Sequence, residues 1–79
     1  MRIAVQLFGP LAEQAGASRL EVTPGGATVQ DVVAAVAAAK PALKIDRSVR
    51  FAVNTDYADP SAPVREGDVV SLIPPVGGG

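Results

Sequence analysis

The hydrophobic patterning of these 79 residues points to the α+β class, with a mixed sheet and one main helix packed on one face. Stretches of period-two alternation flank a single segment in which Val29, Val32, Val33 and Val36 recur at i, i+3, i+4 and i+7. The last apolar run, Val69 to Ile73, is apolar on both strand faces apart from Ser71, as expected of a central strand covered at least partly on both sides. A right-handed crossover through the helix lets the first and last strands lie side by side at the centre of the sheet.

Arg2 to Phe8 is the expected first strand, with Ile3, Val5 and Leu7 on one face and Arg2, Ala4 and Gln6 on the other. Gly9-Pro10 ends it, and Leu11 to Ala15, ahead of Gly16, suit a short helical turn closed by a glycine. Ser18 to Val22 alternates again, Leu20 and Val22 inward, and is expected antiparallel to the first strand. Pro24-Gly25-Gly26 turns the chain into the main helix, from about Val29 to Ala39. Thr28 is its N-cap, Asp31 meets the positive end of the helix dipole, and Pro41 stops the Ala-rich continuation.

Ala42 to Ser48 is irregular, with Leu43 and Ile45 available to tuck under the helix. Arg50 to Asn54 is a short strand with Phe51 and Val53 inward, and Asn54 to Asp56 turns into a brief strand around Tyr57 and Ala58. Residues 59–63 form a loop, and Glu66-Gly67-Asp68 is a tight turn leading into the last strand.

Composition narrows the chemistry. With 0 Cys and 0 His, thiol nucleophiles, disulfides, iron–sulfur ligation, zinc sites of the usual kind and imidazole acid–base catalysis are all removed. Lys+Arg of 7 against Asp+Glu of 8 leaves a net charge of −1 and no general basic field, so no nucleic-acid partner is expected. Asp56, Asp59, Glu66 and Asp68 read as solvated turn acids, and no metal is expected. Hydrophobic residues make up 48% and aromatic residues 4%, giving a foldable chain with an aliphatic core. A domain of this size buries only about 60% of its unfolded surface, which favours association with a partner. The start shows no secretory pattern and no apolar stretch is long enough to span a bilayer, so a cytoplasmic location without membrane association is expected.

The chain closes on Pro74-Pro75-Val76-Gly77-Gly78-Gly79. The prolines cannot donate to a ladder and favour extended geometry, which lifts the tail (74–79) off the body (1–73). Glycines without Cβ atoms can thread a channel closed to other residues, and at ~3.3 Å per residue the tail reaches roughly 20 Å. On composition alone, the same end reads equally as a mobile terminus or a linker.

Taken with Val5-Gln6-Leu7-Phe8, Pro24-Gly25-Gly26-Ala27-Thr28-Val29, Phe51-Ala52-Val53-Asn54 and Glu66-Gly67-Asp68-Val69-Val70, that tail gives an end-to-end resemblance to the MoaD/ThiS family of ubiquitin-like sulfur carriers, nearest the small subunit of molybdopterin synthase. The resemblance implies a ubiquitin-like β-grasp fold. It also implies a non-catalytic, sulfur-donating subunit: an ATP-dependent adenylating enzyme similar to ubiquitin activators would adenylate the carboxylate of Gly79, and sulfur transfer would make it a thiocarboxylate.

On the same resemblance Pro74, Pro75, Val76, Gly77 and Gly78 insert into a large synthase subunit, in an expected heterotetramer, for sulfur donation to the molybdopterin dithiolene. Phe8 and Ile73 correspond to sheet positions facing partners, and no cofactor is held stably. Ala12 departs from the family, where an arginine contacting a partner is common, and Gly77 stands where Ala, Ser or Thr is commoner. Two alternatives share the same tail: a carrier for thiazole, cysteine or tRNA thiolation, and a ubiquitin-like protein modifier.

Overall fold

The structure, a computed structural model, describes residues 1–75. Seven elements follow in order: β1 (Ile3–Leu7), α1 (Pro10–Ala15), β2 (Arg19–Val22), α2 (Val29–Ala39), β3 (Arg50–Val53), β4 (Asp56–Ala58) and β5 (Val69–Ile73). The strands form one sheet in the order β2-β1-β5-β3-β4. β1 pairs with β5 in parallel, and the β1–β2, β3–β5 and β3–β4 pairs are antiparallel. The first and last strands thus lie side by side at the centre, the arrangement that a crossover through the helix was expected to allow.

The core lies between the sheet and α2. Ile3, Val5, Val70 and Leu72 from the central pair meet Val29, Val32 and Val36 from the helix, and all seven are 0% exposed. Val33, on the flank of the valine stripe, is half-buried. The inward side chains of β3, Phe51 and Val53, sit on the core side but stay half-buried. The buried residue of that strand is Ala52, on the opposite face, paired with Ser71 and Tyr57. Leu43 is buried and Ile45 half-buried beneath the irregular stretch after the helix. There Ser48 donates through its N–H and Oγ to Asp46 Oδ1, holding that exposed carboxyl below its ordinary range.

The expected helical turn after β1 is a six-residue helix starting on Pro10, closed by Gly16 at φ 73. Four N–H groups at the start of a helix lack intrahelical partners, and in α2 all four, from Thr28 to Asp31, are satisfied. Val29 N donates to Ala62 O at 2.9 Å, Gln30 N to Pro60 O at 2.8 Å and Asp31 N to Thr28 Oγ1 at 3.3 Å. Asp31 accepts in return from the Thr28 N–H, completing a capping box. Loop 59–64 is therefore fixed to the helix, and Val64 N adds a bond to Ala27 O at 2.9 Å.

Asn54 occupies the left-handed region at φ 57, which Asn tolerates. Its N–H donates to Val69 O at 2.7 Å, its Oδ1 accepts from Val69 N at 3.1 Å, and its Nδ2 donates to Asp68 Oδ1 at 3.2 Å. Asp68 Oδ2 in turn accepts from Arg65 N at 2.9 Å across the turn that holds Gly67 at φ 90. The β3–β4 turn and the entry to β5 are latched together by these bonds. No helix among the described residues is long and apolar enough to cross a membrane.

Two substitutions separate core from cap in urea unfolding. Leu72→Ala removes a 0% exposed side chain and should cost about 2–5 kcal/mol, a large share of the stability of so small a domain. Thr28→Ala removes the cap acceptor and should cost about 0.5–2 kcal/mol with an unchanged m value. Equal costs for the two would contradict the assignment of the core.

Candidate functional site

Strand alternation decides which side chains face away from the helix. With Ile3, Val5, Leu7, Val70 and Leu72 turned inward, the helix-free face receives Ala4, Gln6 and Phe8, then Val69, Ser71 and Ile73, then Ala52 and Tyr57. Leu7 pairs with Leu72, the last pair of the parallel ladder, and Phe8 and Ile73 are the residues that follow them. Phe8 is 46% exposed and Tyr57 76%, while Ile73 is half-buried. The centre of this face is polar: Ser71 Oγ donates to Gln6 Oε1 at 3.4 Å, and Ser71 is only 6% exposed.

The tail leaves beside Phe8. Leu11 N donates to Phe8 O at 3.1 Å across Gly9-Pro10, and Gly9 takes φ 52, ψ −130, a conformation open to glycine and strained for L side chains. A Cβ at Gly9 would lie 3.6 Å from Pro74 Cγ, so the loop after β1 and the root of the tail are neighbours. β3 begins at Arg50 opposite Ile73, which leaves Pro74 no partner strand residue to accept a ladder bond, and Pro74 has no N–H to donate. Pro74 is half-buried and Pro75 exposed.

Of the residues expected at the site, the structure brings together Phe8, Ile73, Pro74 and Pro75. Val76, Gly77, Gly78 and Gly79 lie outside the described residues. Sequence reasoning missed the seat that Gly9 makes for Pro74, and it missed Tyr57 on the same face, whose side follows only from its pairing with Ala52. The turn acids have structural work: Asp68 holds the latch to Asn54, and Glu66 accepts from Arg2 N at 3.2 Å. Among the described residues no group of three or more Asp or Glu could hold a metal ion. This end of the molecule therefore presents a partly apolar face beside the point where the chain leaves the sheet.

The ThiS family model matches residues 5–79. The chain belongs to the ThiS family. It is 36% identical, over 83 residues spanning 100% of both chains, to the molybdopterin synthase sulfur carrier subunit of Chlamydomonas reinhardtii. Among solved structures, SAMP1 from Haloferax volcanii superposes with a TM-score of 0.88 at 30% identity, covering 100% of each chain. A chain of the complex of subunits 1 and 2 of the molybdopterin-converting factor from Helicobacter pylori gives 0.71 at 28% identity, again over 100% of each chain. This ThiS/MoaD-type chain has the ubiquitin-like β-grasp fold that the resemblance implied, with α1 as a second, short helix.

Backbone strain at the loop after β1 has a direct test in this ThiS-family chain. Gly9→Ala should lower stability by about 1–3 kcal/mol, because the native φ is positive. Gly25→Ala, where a Cβ meets nothing within 4 Å, should be neutral or raise it by about 0.4–1 kcal/mol. Thermal melts of the two variants would contradict the geometry if they moved together.

Proposed function

We propose that this chain is the sulfur carrier subunit of molybdopterin synthase. The observation that carries the reading is the 36% identity, over the whole of both chains, with a molybdopterin synthase sulfur carrier subunit, and the Helicobacter complex of two converting-factor subunits supports a second subunit as partner.

The chemistry follows from what the chain lacks. Without Cys there is no thiol to carry sulfur, and the carboxylate of Gly79 is the acceptor. A free α-carboxylate titrates near pH ~3.5, so at neutral pH it is ionised and a poor electrophile. Attack of the Gly79 carboxylate oxygen on the α-phosphorus of ATP, in the adenylating enzyme, forms the acyl adenylate and releases pyrophosphate. Hydrosulfide-level sulfur from the donor then attacks the acyl carbon, AMP leaves with the bonding pair, and loss of the sulfur's proton gives the thiocarboxylate. Pro74 and Pro75 start the tail away from the sheet, and Val76, Gly77 and Gly78 give it the narrow section that enters the large subunit, where sulfur passes to the molybdopterin precursor.

Phe8 and Ile73 make the apolar contact beside the entry point, and the partner supplies the acid–base groups absent here. ATP is consumed by the activating enzyme and is not a ligand of this chain. The place of action is the cytoplasm.

Intact-mass analysis after incubation with the adenylating enzyme, ATP and a sulfur donor should show one oxygen replaced by sulfur at Gly79. A variant lacking Gly78 and Gly79 should show no change while unfolding at the same urea concentration; an unmodified full-length chain contradicts the reading. Phe8→Ala should weaken binding to the large subunit by about 2 kcal/mol. Its own stability should move little, because Phe8 is 46% exposed.

A second reading, a protein modifier joined to lysines through Gly79, draws on the likeness to SAMP1. Immunoblots of cell lysate decide it: a ladder of adducts lost on deleting Gly79 supports the modifier, and a single free band supports the carrier alone.

A further inference from the structure

The net charge of −1 conceals a segregation that the topology creates. β1 and β5 run parallel and both end where the tail leaves. β3 runs antiparallel to β5 and begins at that end with Arg50, across from Ile73. β2 begins there with Arg19, across from Gln6. The stretch between α2 and β3 lies at the same end, tied to α1 by the Lys44 N–H that donates to Gln14 Oε1 at 3.0 Å, and it brings Lys40, Lys44 and Arg47.

Five of the 7 cationic side chains therefore lie on segments at the end of the sheet where β5 finishes, with Glu13, Asp46 and Asp59 among them. The far end holds Glu21, Asp31, Asp56, Glu66 and Asp68 against Arg2 and Arg65. Arg19, Lys44, Arg47 and Arg50 are exposed. The ion pair found among the described residues, Arg2–Glu21 at 3.6 Å, is at the far end. Arg47 and Arg50 also flank a groove between α2 and the β3–β4 edge that is lined by Val33, Ile45, Phe51 and Ala58.

We propose that the tail-exit end is a docking surface for an acidic rim on the protein that receives the tail. The inference rests on the carrier reading above and adds the chemistry of the partner. A chain end that must enter a channel gains from arriving first, and a molecule positive at that end and negative at the other is oriented by an acidic rim before contact. The carboxylates of Glu13, Asp46 and Asp59 interrupt any continuous stripe for phosphates, which favours a protein surface over nucleic acid.

The test compares two double variants with the same change in charge, Lys44→Glu/Arg47→Glu at the tail end and Arg2→Glu/Arg65→Glu at the far end, after circular dichroism has shown both folded. Stopped-flow association with the large synthase subunit between 50 and 300 mM NaCl (roughly 14 to 6 Å of Debye length) is the readout. The tail-end pair should slow association about tenfold at low salt and flatten its salt dependence, and the far-end pair should leave it unchanged or faster. Equal effects from the two pairs overturn the proposal.

Wild-type chain that fails to bind the large subunit at any salt counts against the carrier reading instead. The surface is then decided by nuclear magnetic resonance titration with polyglutamate. Amide shifts confined to Arg19 and residues 40–50 sustain it, and shifts spread over both ends overturn it. Tighter binding of a short single-stranded RNA at the same amides overturns the assignment to protein.

Discussion

The parallel pairing of β1 with β5 is the constraint on which the rest of this structure depends. Parallel neighbours cannot be joined by a tight turn, so the whole intervening chain serves as the connection and has to cross a face of the sheet. α2 makes that crossing, and its valine stripe is what buries Val5, Val70 and their neighbours. Because both central strands end on the same side, the loop after β1 and the root of the tail become neighbours, with Gly9 beside Pro74. The chain thus leaves from the middle of the sheet, from a strand paired on both sides up to Ile73.

Hydrogen bonds outside the regular ladders fix the remaining pieces. Loop 59–64 supplies carbonyls to the first N–H groups of α2, so one segment satisfies the helix start and carries the chain from the β4 edge back towards the centre. The Asn54–Asp68 latch joins the β3–β4 turn to the entry of β5. Two of the stretches that carried the family resemblance, Phe51 to Asn54 and Glu66 to Val70, are therefore the two halves of one structural contact.

Much of this was legible in the sequence, for local reasons. Thr28, Asp31 and Pro41 punctuate the main helix so clearly that its bounds, Val29–Ala39, agree with the reading from residue types. The run Val69 to Ile73 announced a central strand because it offers apolar side chains to both faces. Non-local contacts left no such mark. The latch spans 14 residues, the Gly9–Pro74 proximity needs the parallel register, and the half-burial of Phe51 and Val53 reflects their position near the sheet edge. Charge segregation was invisible for the same reason: the cations gathered at the end where β5 finishes are scattered from Arg19 to Arg50, and only strand direction brings them to one end. At the site, the face bearing Phe8 and Ile73 could be placed, while Val76, Gly77, Gly78 and Gly79 lie outside the described residues.

In the proposed carrier role the body presents a face and a chain end, and the reactive groups of Cys and His, absent from this sequence, come from other proteins. That arrangement requires β5, from which the tail departs, to be among the last elements to open. Native-state hydrogen exchange measures this directly. The amides of Val70 and Leu72 should exchange only by global unfolding, with the same denaturant dependence as the whole molecule, while those of the three-residue edge strand β4 exchange through smaller local openings. Exchange of the β5 amides at a lower free energy than those of β4 would contradict the central anchoring of the tail.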